Sequence, residues 1–149
     1  MKVLFPAYSG QIDALKTRQA QTDEEWRGSG TVLLVDDEET VRRIGTTMMK
    51  RLGMTVITSV DGRDAIEIYK KQGDQIDCVV LDLTMPHMDG EETFRQLRRI
   101  NPDVRVIMSS GYSEQEVIQR FRGKGIAGFI QKPYELKMLS EALREALDT

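Results

Sequence analysis

Five short apolar runs recur along this chain, and a stretch with apolar residues at helical spacing follows each one. The first run, Thr31-Val32-Leu33-Leu34-Val35, is the length of a strand and too short for a helix. Val41, Ile44, Met48 and Leu52 then recur at three- and four-residue steps, predicting a helix over 38–51 that Gly53 ends. Residues 54–60 are rich in β-branched side chains and predict a second strand. Asp61-Gly62 opens the next helix, with Ala65, Ile66 and Tyr69 inward and Gly73 closing it. Residues 76–81 are largely apolar and stop at Asp82, as a strand buried on both faces would. A helix with Phe94, Leu97 and Ile100 inward follows and ends at Asn101-Pro102. Further strands are predicted at 104–108 and 126–130, the first leaving through Ser109-Ser110-Gly111. Val117, Ile118 and Phe121 mark the helix between them, and Leu136, Leu139, Leu143 and Leu147 mark a last one. Alternating strands and helices with short connections predict a parallel α/β sheet with helices on both faces.

Residues 1–30 fit that alternation poorly. Val3-Leu4-Phe5 could form a short strand stopped by Pro6, and residues 7–30 are polar, with Gly10, Gly28 and Gly30. They read as an N-terminal extension or linker, leaving 31–149 as the folded domain. The chain has 149 residues, enough for one hydrophobic core. A net charge of −3 offers no general attraction to nucleic acid or an anionic membrane. The single Cys78 has no partner for a disulfide, which points to a reducing compartment. No apolar run has the length of a membrane span or a signal peptide, so a cytoplasmic location is expected.

The chemistry gathers at the strand ends. In an open parallel sheet the carboxyl ends of the strands share one rim, where ligands bind. Asp36 and Asp37 leave the first strand, Asp82 the third, Ser110 the fourth and Lys132 the fifth. Two carboxylates about 4 Å apart repel by roughly 4 kcal/mol at a protein surface, so three together call for a cation. Oxygen ligands without His or Cys select a hard ion, and Mg²⁺ fits best. Lys132 can meet a phosphoryl oxygen and Ser110 can donate to one, which leaves Asp82 as a nucleophile that becomes an acyl phosphate.

Val32-Leu33-Leu34-Val35-Asp36-Asp37-Glu38, Leu81-Asp82-Leu83-Thr84-Met85-Pro86, Ser109-Ser110-Gly111 and Gln131-Lys132-Pro133 together resemble a response-regulator receiver domain of two-component signalling. The resemblance runs over about 31–148 and implies a flavodoxin-like (βα)5 three-layer sandwich with strand order 2-1-3-4-5. It implies that Asp82 is the phosphorylation site, with Lys132 and Ser110 completing the catalytic set. It further implies Mg²⁺ on Asp36, Asp37 and Asp82 and the Thr84 carbonyl, with Asp36 acting largely through water. Ser110 and Phe129 would form the switch pair, Thr84 and Tyr112 would set the lifetime of the acyl phosphate, and the Lys132–Pro133 bond would be cis.

The partner implied is a histidine kinase or a histidine phosphotransfer protein, with a receiver dimer as a further option and no nucleic acid or membrane. As this chain the molecule would be a self-phosphorylating acceptor rather than an enzyme. Lys2-Val3-Leu4-Phe5-Pro6 also resembles the last strand of a histidine-kinase ATPase domain. That favours the C-terminal receiver of a hybrid histidine kinase over a stand-alone regulator, and no DNA-binding output domain is expected after the last helix. An aspartate-nucleophile phosphatase would need a second Asp at Thr84, and a flavin-binding flavodoxin would not place Asp36 and Asp37 at its phosphate loop. A degenerate receiver would lack part of the acidic, hydroxyl and lysine set. His87, beside Pro86, reads as solvated.

Overall fold

The computed structural model describes residues 28–85, 88–111, 113–121 and 123–148. Within them β1 (Thr31–Val35), β2 (Thr55–Ser59), β3 (Cys78–Asp82), β4 (Val106–Ser110) and β5 (Gly128–Gln131) alternate with helices. The helices are α1 (Glu39–Arg51), α2 (Gly62–Gln72), α3 (Gly90–Ile100), α4 (Glu114–Arg120) and α5 (Leu136–Asp148). All strand pairs are parallel and the sheet order is β2-β1-β3-β4-β5, the predicted 2-1-3-4-5 arrangement. Among the described residues no helix is long and apolar enough to cross a membrane.

Period-two alternation along the strands sends their side chains into two separate cores. Leu33, Val35, Val79, Leu81 and Met108 pack on the face covered by α2, α3 and α4, against Ala65, Phe94, Leu97 and Val117. Val32, Leu34, Val80, Ile107 and Ile130 pack on the opposite face against Met49 of α1 and Leu139 and Leu143 of α5. β3 is central and buried along its whole length, which accounts for its unbroken apolar sequence.

Several boundaries and inner faces differ from the sequence expectation. β4 starts at Val106 and includes Ser109 and Ser110, which were expected to lie in its exit loop. The backbone turn from Asn101 to Val104 uses up the first apolar residue, while both serines are buried and paired in the sheet. β5 likewise begins at Gly128 rather than Ile126, and a short 3-10 turn, Gly73–Gln75, precedes β3. Ile100 was expected to face inward and is instead exposed, as are Ile44 and Ile118 among the periodic apolar positions. On α1 the contact is made one residue later, by Gly45. A Cβ there would stand 2.9 Å from Leu34 Cδ2 and 3.1 Å from Tyr134 Cε2, so α1 lies close against the sheet and a side chain would require those groups to shift. Residues 1–27, with the expected strand at Val3-Leu4-Phe5, and Pro86, His87 and Tyr112 lie outside the described residues.

Two glycines shape the connections, Gly53 at the amino ends of the strands and Gly90 at the rim. Gly53 ends α1 at φ 93°, in the left-handed region that closes helices. Gly90 starts α3 directly against β3, its N–H donating to the Leu83 carbonyl at 2.8 Å. A Cβ at Gly90 would lie 2.5 Å from the Asp82 carbonyl oxygen and 2.6 Å from Leu83 Cα. Backbone atoms cannot swing aside as a flexible side chain can. Gly90→Ala is therefore expected to destabilise the fold by about 1–3 kcal/mol, read as a lower urea midpoint at unchanged m-value.

Candidate functional site

The acidic residues reach the rim because their strands end there. Asp36 follows β1 directly and is fully buried, and Asp82 is the last residue of β3 and nearly so. Asp37 is exposed beside them. Carboxylate oxygens of Asp36, Asp37 and Asp82 all lie within 4.8 Å of one another. Lys132, just beyond β5, sets its Nζ 2.9 Å from Asp36 Oδ2 and 3.2 Å from Asp82 Oδ1. One ammonium thus bridges the two buried carboxylates.

Backbone groups support this arrangement. The Glu38 N–H donates to Asp36 Oδ1 at 2.9 Å, and Arg42 Nη1 donates to the Asp36 carbonyl at 2.7 Å. The Thr84 N–H donates to Asp82 Oδ1 at 3.3 Å. Sequence reasoning missed Arg42, whose role follows from one helical turn of separation along α1 and from no motif. Burial, joined by the negative charge of Asp36, pushes the Asp82 carboxyl up to about 6, although Lys132 pulls the other way. Asp82 is therefore largely ionised at neutral pH. Burial pulls the Lys132 ammonium down, but its hydrogen bond to Asp36 and the charges of Asp82 and Asp36 outweigh that, and the net shift is upward. The lysine stays charged.

The remaining predicted residues are distributed as follows. Ser110 ends β4, buried, and its backbone carbonyl accepts from the Lys132 N–H at 2.8 Å. Strand alternation turns the Ser110 side chain to the α2–α4 face, where Phe129 is also packed, partly buried. The Lys132–Pro133 bond is cis, as the motif implied. Thr84 is exposed next to Asp82, and Tyr112 is outside the described residues. The cluster of Asp36, Asp37 and Asp82 offers oxygen ligands alone. Such a set suits a hard divalent cation, with Asp37 the carboxylate that Lys132 does not already occupy.

Residues 32–144 match the family described as "Response regulator receiver domain". The chain belongs to that family. This receiver is 37% identical over 135 residues to "Sensor kinase CckA" of Brucella abortus (strain 2308), a match covering 91% of this chain and 14% of the kinase. It is 30% identical over 118 residues to "Chemotaxis protein CheY" of Bacillus subtilis (strain 168), covering 78% of this chain and 97% of CheY. Among solved structures it resembles a chain of the CheX–CheY–BeF3–Mg complex from Borrelia burgdorferi, with TM-score 0.73 and 31% identity. That likeness covers 77% of this chain and 87% of the other. The chain therefore spans nearly all of a CheY but about one-seventh of the sensor kinase.

The raised Asp82 carboxyl gives a stability signature in metal-free protein. Folded, Asp82 binds its proton below about 6, whereas unfolded it does so near the ordinary value of 3.8. Between those values the folded state holds more protons, so stability falls as pH rises through this window. Asp82→Asn lacks the charge. In chelator it is expected to melt higher than wild type at pH 7, with the gap narrowing toward pH 4. A gap independent of pH would contradict the assignment.

Proposed function

We propose that this receiver takes a phosphoryl group from a phosphohistidine onto Asp82, with Mg²⁺, and so switches a protein-interaction surface. The observation that carries this reading is the Lys132 ammonium held between buried Asp36 and Asp82, with Asp37 alongside. An Asp82 oxygen would form the new O–P bond as the phosphorus–nitrogen bond to the donor histidine breaks. The displaced imidazole keeps the bond's electron pair and takes up a proton. Lys132 is placed to receive a phosphoryl oxygen, and the backbone around Thr84 orients the carboxylate. Mg²⁺, when bound by Asp36, Asp37 and Asp82, would neutralise charge that the phosphoryl group brings. The likeness to a chain of a CheX–CheY complex with BeF3 and Mg supports a magnesium-dependent reading here. On this reading the chain modifies itself and turns over no separate substrate. Its readout would run through Ser110 and Phe129 on the α2–α4 face. Its setting would be the cytoplasm, and its partner a histidine kinase or phosphotransfer protein.

We further propose that the chain is the C-terminal receiver of a hybrid histidine kinase. The match to the sensor kinase covers 91% of the chain, more than residues 31–149 can supply, so the likeness extends into the preceding segment. The match to CheY covers 78%, about the receiver alone. The coding sequence upstream of Met1 tests this. A kinase ATPase domain in frame is expected, and a stop codon directly before Met1 would favour a single-domain regulator.

Acetyl phosphate with Mg²⁺ is expected to add one phosphoryl group by intact mass to wild type and none to Asp82→Asn. Equal labelling of both would remove Asp82 as the acceptor. Mg²⁺ should also raise the melting temperature, because it binds the folded cluster alone, by about 1.4 kcal/mol of stability at ten times its Kd. Asp37→Asn is expected to lose most of that response. A variant that responds like wild type would show that Asp37 is no ligand.

A further inference from the structure

Lys132 follows β5, yet its ammonium rests on carboxylates of β3 and β1. In the sheet, β4 separates β5 from β3, and β1 is one strand further still. At about 4.8 Å per strand, β5 stands roughly 10 Å from β3 and roughly 14 Å from β1. A lysine side chain of five bonds, each about 1.5 Å, reaches only roughly 6 Å. With the 3.2 Å contact and roughly 3–4 Å of aspartate side chain added, the stem spans the distance to β3 but has no slack for β1. Where the backbone after β5 sits therefore decides whether the ammonium meets both carboxylates, and the hydrogen bond from the Lys132 N–H to the Ser110 carbonyl, the next rung of the β4–β5 ladder, holds it beside β4.

A second tether holds the far side of this segment. Tyr134 is 7% exposed, and its hydroxyl lies 2.9 Å from Oγ of buried Ser109 on β4. Its ring belongs to the core of Val32, Leu34, Ile107 and Leu139, behind the ends of β1, β3 and β4. Helix α1 closes over the ring at Gly45, where a Cβ would come 3.1 Å from Tyr134 Cε2. Burial pushes the phenol up to about 12, so the hydroxyl keeps its proton and the Tyr134–Ser109 bond persists at physiological pH. Lys132 is thus carried between two attachments to neighbouring residues of one strand, Ser110 through its backbone and Ser109 through the Tyr134 hydroxyl. Ring burial alone would keep an aromatic residue in this core, but it would not fix where along β4 the segment is pinned.

We propose that Tyr134 is a positioning residue for phosphoryl transfer, its hydroxyl bond to Ser109 fixing the segment after β5 that sets the Lys132 ammonium on Asp82. This rests on the reading of Asp82 as acceptor. Tyr134→Phe removes the tether but leaves Ser109 Oγ buried without its partner, so Tyr134→Phe with Ser109→Ala removes both hydroxyls together. Labelling by acetyl phosphate is timed at saturating Mg²⁺, under conditions where circular dichroism shows each protein folded. Both variants are expected to label roughly 3- to 10-fold more slowly than wild type, with Mg²⁺ affinity unchanged because the three carboxylates are intact. A slow rate in the double variant reports the missing tether, since no orphaned hydroxyl remains to disturb the core. A wild-type rate in either variant, or a loss of rate matched by an equal loss of Mg²⁺ affinity, overturns the proposal. Failure of the wild-type protein to label would instead count against Asp82 as acceptor.

Discussion

The buried carboxylate of Asp36 is the constraint on which the rim of this domain depends. A fully buried charge is tolerated only when it is paired and hydrogen-bonded, and Asp36 has both. Its counter-charge comes from Lys132, 96 residues away in sequence, so the pair forms only after the sheet has closed in order. The same ammonium bridges to Asp82. Losing Lys132 would leave two carboxylates facing each other in a poorly hydrated crevice. The lysine bridge is thus what makes the acidic centre bearable to the fold.

That arrangement leaves the site both tense and accessible. Asp82 is short of full compensation, since burial and the neighbouring Asp36 raise its carboxyl even with Lys132 in place. A divalent cation or an incoming phosphoryl group with its metal would relieve that imbalance, so binding and chemistry draw on the same electrostatic strain. Asp37, exposed and outside the lysine bridge, is the open side through which such a cation can enter. The sheet separates the consequences by face. Ser109 turns toward the α1–α5 side and meets Tyr134, while Ser110, one residue on, turns toward the side of Phe129. One strand end therefore presents a buried serine to each face of the sheet.

The comparisons agree with this division between a general core and a particular setting. The match to CheY spans nearly that whole protein, as expected for a self-sufficient receiver fold. The match to the sensor kinase covers more of this chain but only 14% of the kinase. The receiver match at residues 32–144 is thus nearly the whole of one relative and a small part of another.

The sequence by itself determined the alternation of elements, the strand order implied by the receiver motifs, and the acidic and basic residues of the rim. Those features are local: apolar periodicity, turn residues, and charged residues placed directly after short apolar runs. It misjudged where β4 ends, because two serines look like a turn when their burial cannot be seen. With Ser109 placed in a loop it had no face, and its bond to Tyr134 could not be anticipated. Helical spacing likewise picked out Ile44 and not Gly45, since it ranks large apolar residues above a glycine that owes its burial to closeness. Only the tertiary structure decided that Lys132 bridges Asp36 and Asp82, because that contact depends on where the chain after β5 is held relative to the other strand ends. Distances across a sheet are set by packing between strands distant in sequence, and no local pattern encodes them.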